Sequence, residues 1–141
     1  MGRDDRLPVV LLDGDDAGKQ AANSLKATLY SGKDSRILST DDFAPMAQSE
    51  VEDLMPPKLM IQVLDRLERR AEVDFEDTYK EGKPLVPQVK AWAKENGFEL
   101  ETDWKVKLSV GVKEKLLKDP DRHVSDEIVS RWKKLFESFY T

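Results

Sequence analysis

The clearest hydrophobic signal lies near the start of the chain, where Val9-Val10-Leu11-Leu12 forms an unbroken apolar run inside residues 7–13. A run this short, half of it β-branched, predicts a strand covered on both faces, as in parallel α/β sheets. The run breaks into Asp13-Gly14-Asp15-Asp16, after which Ala17, Ala21, Leu25 and Leu29 recur every fourth residue. That spacing predicts an amphipathic helix over 16–31, closed by Gly32 with Lys33 beside it. Arg36-Ile37-Leu38-Ser39 reads as a second short strand. Strand, helix and strand within about thirty residues make a βαβ unit, which predicts parallel strands joined by a right-handed crossover.

The later pattern is helical. Residues 40–48 read as a loop, and Ser49 stands three residues before Glu52, the spacing of a capping box at a helix start. Leu59, Met60, Val63, Leu64 and Leu67 then predict a helix with a core-facing stripe. Residues 71–84 are polar and read as an irregular loop. A helix over 87–95 closes at Asn96-Gly97, with Trp92 as its packing anchor, and residues 98–101 read as short and extended. Trp104, Leu108, Val112 and Leu116 mark the next helix, capped by Thr102 or Asp103 and stopped by Asp119-Pro120. Ile128, Val129, Trp132, Leu135, Phe136 and Phe139 form the last amphipathic helix, with its aromatics expected in the core. The expectation is an α/β fold: a parallel sheet with flanking helices over residues 1–70, and a mainly helical C-terminal extension over 71–141 packing on it.

Composition narrows the function classes. With 141 residues the chain is one domain's worth, and 39% hydrophobic against 36% charged residues describes a globular protein rather than a disordered one. No apolar run approaches the roughly 18 residues of a membrane helix, and residues 1–6 are charged, a lead-in without a signal-like apolar region. Zero cysteines exclude disulfides and thiolate chemistry and fit a cytoplasmic setting. The single histidine, His123, excludes a site built from several imidazoles; it falls in a turn between helices. A net charge of −5 is not that of a basic nucleic-acid binder. Clustered carboxylates that hold cations would also make a bare phosphodiesterase acidic.

The candidate chemistry lies at the carboxyl ends of the two strands, the edge where open α/β sheets place ligands. Asp13 and Asp15, one residue apart, can offer oxygens to a hard divalent cation. The same residues also suit a turn and a helix N-cap. Glu50, Glu52 and Asp53 put three more carboxylates in one turn soon after the second strand. In a parallel βαβ unit both strand ends open on one edge, so the two acidic groups are expected to face each other.

These residues resemble a known family. The apolar strand running into Asp13-Gly14-Asp15-Asp16-Ala17-Gly18 resembles the Asp-x-Asp motif of the Toprim domain, shared by topoisomerases, primases, recombination proteins and the overcoming-lysogenization-defect (OLD) nucleases. The segment from Ser49 to Leu54 resembles the acidic stretch that follows in the OLD-like branch, and Trp104–Leu108 and Trp132–Phe136 look like its helical end. The resemblance implies a Rossmann-like partial Toprim sheet and cleavage of DNA phosphodiester bonds with Mg²⁺ or Mn²⁺. It makes Asp13 and Asp15 catalytic metal ligands, with Glu50, Glu52 and Asp53 completing the shell. It also implies a tail lysine acting at the phosphate: Lys105, or alternatively Lys107.

One departure matters. A Toprim domain begins with an earlier strand ending in a glutamate, and only eight residues precede Val9. No Gly-x-x-x-x-Gly-Lys-Ser/Thr phosphate loop of an ATPase is present either. The resemblance therefore implies the C-terminal portion of a longer nuclease, with weak or no cleavage by the chain alone. Its partners would be DNA and an upstream ATPase domain or chain supplying the first strand; a homodimer stays open, and no membrane is expected. Other readings are a Toprim relative with primase or ribonuclease chemistry, or a non-catalytic α/β interaction module such as a receiver-like domain.

Overall fold

The computed structural model describes residues 7–140; the charged lead-in over residues 1–6 lies outside them. Strand β1 (Val10–Leu12) and strand β2 (Ile37–Ser39) pair in parallel, with Val10 opposite Ile37, Leu11 opposite Leu38 and Leu12 opposite Ser39. Helix α1 (Asp16–Ala27) connects them, so the βαβ unit forms as its pattern predicts. The first strand is shorter than 7–13, and its residues are half-buried rather than enclosed on both faces. The reason is the sheet's width: among the described residues it has two strands, too few to be sandwiched along their length.

Helix α1 also departs from its pattern. Ala17, Ala21 and Leu29 are exposed, and the face turned inward carries Gly18, Ala22 and Leu25. A Cβ on Gly18 would lie 1.8 Å from the Asp13 carbonyl oxygen, so the missing side chain is what lets the helix approach the strand end. The helix stops at Ala27, four residues short of the predicted end. The Thr28 hydroxyl donates back to the Ser24 carbonyl (2.7 Å), the kind of local bond that competes with helix continuation. The chain then turns through Gly32 at φ 72°, and the buried Tyr30 hydroxyl donates to the Pro8 carbonyl at 2.7 Å.

The main core is helical and lies beside the sheet rather than around it. Helices α2 (Pro57–Leu67), α3 (Phe75–Thr78), α4 (Leu85–Glu95) and α5 (Trp104–Lys118) enclose Leu59, Val63, Leu64, Phe75, Val89, Trp92, Leu108 and Val112. α2 and α5 approach closely at Gly111, where a Cβ would meet Val63 Cγ1 at 2.6 Å. The polar stretch read as a loop over 71–84 contains α3 and the fully buried Phe75, whose ring meets Trp92 edge-on at 5.4 Å. That short helix forms because the Asp65 carboxylate accepts from Phe75 N–H (2.6 Å) and Glu76 N–H (3.2 Å), a cap supplied by another helix. Trp92 is the anchor expected of it, its indole N–H donating to the Val73 carbonyl at 2.7 Å. Residues 98–101 pair with no strand; Phe98 and Leu100 pack against the core instead.

A smaller cluster of Phe43, Leu54 and Leu135 fastens the sheet to the tail, with Leu11 and Leu38 against it. After α6 (Pro120–His123), α7 (Asp126–Ser138) supplies Leu135, and its Trp132 indole N–H donates to the Leu54 carbonyl at 2.7 Å. Phe136 is 58% exposed, so the expected burial of the closing aromatics fails there. No helix among the described residues is long and apolar enough to cross a membrane.

Candidate metal centre

The site is assembled by a clamp between the two strand ends. As β1 ends, Gly14 N–H donates to the Ser49 carbonyl (2.8 Å) and to the Thr40 hydroxyl (3.1 Å). Thr40 and Ser49 are both fully buried, and the Thr40 hydroxyl reaches the Ser49 carbonyl at 3.0 Å. Asp41 completes the clamp: Oδ1 accepts from Ser49 N–H (2.9 Å) and from the Ser49 hydroxyl (2.6 Å), and Oδ2 from Gln48 N–H (3.2 Å). Burial pushes the Asp41 carboxyl up, but these bonds and nearby Lys19 outweigh it and hold it below its ordinary value. A Cβ at Gly14 would fall 2.0 Å from Asp41 Oδ1, so the missing side chain is what leaves room for that carboxylate.

This clamp delivers Glu50 to the turn after β1. One carboxylate oxygen from each of Asp13, Asp15 and Glu50 lies within 4.8 Å of the others, all three residues being half-buried. Asp15 is at once a member of this triad and the N-cap of α1, its Oδ1 accepting from Gly18 N–H at 2.8 Å. The turn-and-cap reading of the motif and the cluster reading therefore both hold. Asp13 Oδ1 accepts from Val51 N–H at 3.2 Å. Burial, then the negative charges of Glu50 and Asp15, push the Asp13 carboxyl above its ordinary value.

Glu52 and Asp53 lie nearby but are not among the three clustered carboxylates. Asp53 accepts from Glu50 N–H (2.9 Å) and, through its other oxygen, from Leu85 N–H (2.8 Å) at the start of α4. The capping pair is thus Glu50 with Asp53, one residue on from the expected Ser49 with Glu52, because Ser49 is committed to the clamp. The turn it starts is a 3₁₀ turn over Val51–Leu54. Glu52 is pushed up mainly by burial and lies 3.8 Å from Lys105 Nζ.

Of the two tail lysines, Lys105 reaches the site, its Nζ 2.9 Å from Glu50 Oε1. Burial pulls the Lys105 ammonium down, but the Glu50 bond and the charges of Glu52, Glu50 and Asp13 outweigh it and raise it overall. Lys107 turns away and pairs with Glu101 and Asp103. His123, on α6, is not part of the triad. The residues that sequence reasoning missed are Thr40 and Asp41. Their signal was present: Thr40-Asp41-Asp42 follows β2 as Asp13-Gly14-Asp15 follows β1.

The donor set fits a hard divalent cation. Glu50 and Glu52 pair with the Lys105 ammonium, while the triad itself carries three carboxylates, so the cluster is net negative when all are ionised. Oxygen ligands at ~2.1 Å around Mg²⁺ lie at most about 4.2 Å apart, and around Ca²⁺ at 2.3–2.6 Å up to about 5 Å apart. With one oxygen from each of Asp13, Asp15 and Glu50 within 4.8 Å of the others, the triad could hold one such cation. No family model, no curated protein and no solved structure matches the chain, so the site's chemistry rests on its own residues.

Proposed function

We propose that Asp13, Asp15 and Glu50 bind a divalent cation, Mg²⁺ or Mn²⁺, and that the site acts on DNA phosphodiester bonds as in the Toprim domain of OLD-like endonucleases. The observation that carries this reading is the convergence of the triad with one ammonium, Lys105, at the carboxyl edge of a parallel pair of strands. A bound divalent cation supplies stabilisation of the negative charge that develops on phosphodiester oxygens. The chain's own residues do the rest. Asp13 and Asp15 offer oxygens from the strand end, and Asp15 stays oriented by its cap bond to Gly18. Glu50 is held across from them by the Thr40–Ser49–Asp41 clamp. Lys105 exchanges its Glu50 partner for a phosphate oxygen of the bound strand, leaving Glu50 to the cation.

The test is binding of a fluorescent DNA oligonucleotide with and without Mn²⁺, for the wild type and Asp13→Asn. The reading expects affinity that rises with Mn²⁺, no such rise in Asp13→Asn, and at most slow cleavage. DNA binding indifferent to both Mn²⁺ and Asp13 contradicts it. The Lys105–Glu50 bond favours one other reading, a non-catalytic module in which the ammonium is the permanent counter-ion. That reading expects no heat on Mn²⁺ titration.

A further inference from the structure

A groove of about 360 Å³ opens directly beside the triad, between the Val51–Leu54 turn and α5. Its floor is apolar: Met55, Met60, Leu108, Val112 and Leu116. Two of these are methionines, whose unbranched thioethers adapt to differently shaped flat groups. The groove shares Val51, Glu52 and Lys105 with the acidic site, and Val51 N–H is the donor to Asp13. Lys113 also lines it. Eight residues separate the two lysines, about 12 Å along the helix at 1.5 Å per residue. Lys113 makes no ion pair among the described residues, whereas Lys105 is engaged by Glu50.

We propose that this groove takes an unpaired nucleobase of single-stranded DNA, whose neighbouring phosphate lies at Lys105 and the triad and whose backbone continues to Lys113. The proposal rests on the phosphodiester reading above and narrows its substrate to unpaired or frayed strands. An apolar floor flanked by the Lys105 and Lys113 ammoniums suits a flat base joined to an anionic backbone, the base packing on aliphatic and thioether side chains rather than on an aromatic ring. A duplex keeps its bases stacked inward and seats one in this groove only by flipping it out. Val51 lines the groove and donates to Asp13, so a base seated there is continuous with the phosphate that the acidic site would hold.

The test compares an oligothymidylate with an abasic strand of equal length and charge, in Mn²⁺, against the wild type, Ser109→Trp and Lys113→Ala. Ser109 is an exposed groove residue on α5, and neither it nor Lys113 contributes to the triad. The expected result is a base-containing strand bound about tenfold tighter than the abasic one, as burial of roughly 50 Å² of apolar surface at about 25 cal/mol per Å² would give, with Ser109→Trp erasing the difference. Lys113→Ala should lower the slope of log affinity against log salt by about 0.7, the loss of one phosphate contact. Equal affinity for both strands in the wild type overturns the proposal, and so does a Ser109→Trp variant that keeps the preference. A Mn²⁺ titration without DNA separates the failures. Heat of binding with no base preference sinks the groove alone, and absence of both sinks the phosphodiester reading with it.

Discussion

Gly14 gives the sharpest test of how the site is built. In the wild type, an alanine Cβ at this position would lie 2.0–2.5 Å from all three atoms of the Asp41 carboxylate group, so that carboxylate must leave. Its departure abandons three hydrogen bonds, from Ser49 N–H, the Ser49 hydroxyl and Gln48 N–H. Bonds to a charged acceptor contribute about 1.5–3 kcal/mol each when fully sheltered. Asp41 is only half-buried and the freed carboxylate regains water, so the expected loss for Gly14→Ala is about 2–4 kcal/mol. For a chain of this size that corresponds to a fall in Tm of roughly 8–15 °C. The same substitution in an Asp41→Ala background meets none of those three atoms. Gly14 is not among the residues at positive φ, so alanine there carries little backbone strain. The cost should shrink below about 1 kcal/mol, or reverse, since Gly→Ala restricts the unfolded chain by about 0.4–1 kcal/mol. The assay is urea unfolding followed by tryptophan fluorescence for the four members of the cycle. Additive effects, with Gly14→Ala as costly in Asp41→Ala as in the wild type, would refute the clamp.

Three further outcomes follow from named residues. Asp13→Asn keeps an oxygen for Val51 N–H while removing a charge whose carboxyl is held above its ordinary value near 3.8, so the metal-free variant should be more stable at neutral pH. An acid with a raised folded pKa destabilises the fold above that pKa and not below the unfolded one. The advantage should therefore vanish as pH falls below about 4, which thermal melts across pH would detect. Lys105→Met leaves Glu50 and Glu52 without their ammonium and should cost about 1 kcal/mol in the metal-free protein, the loss limited by the 40% exposure of the lysine side chain. By removing a competing positive charge it should also tighten Mn²⁺ binding while weakening DNA binding, read by calorimetry and anisotropy on one preparation. Phe75→Ala should cost about 3–5 kcal/mol by chemical denaturation, because its fully buried ring packs on Trp92 and Tyr79.

What the sequence disclosed tracks how local each cause is. Val10–Leu12 and Ile37–Ser39 carry their own strand signal, and their pairing follows from the helix between them. The helices of the second half announce themselves by period, and Trp92 and Leu108 sit where their spacing puts them. Long-range causes stayed hidden. Phe75 lies in a polar stretch and becomes core only because Asp65 caps its turn from a neighbouring helix. The α1 stripe was misassigned because Gly18, not Ala17 or Ala21, sets the approach to the strand. The two acidic groups were expected to share one edge, and Asp13, Asp15 and Glu50 do converge there. Which carboxylates converge depends on long-range bonds, with Asp41 holding Ser49 and Asp53 accepting from Leu85 N–H at the start of α4. No local pattern encodes that choice.

The most direct test of the acidic triad is an isothermal titration of Mn²⁺ into the wild type, Asp13→Asn and Glu50→Gln, each shown folded by circular dichroism. A divalent site built from Asp13, Asp15 and Glu50 predicts saturable binding in the wild type and its loss in both variants, although Asp13 and Glu50 are thirty-seven positions apart. Binding that survives both substitutions, or a wild type that gives no heat and no thermal shift with Mn²⁺, Mg²⁺ or Ca²⁺, would contradict it and leave Lys105 as the triad's permanent counter-ion.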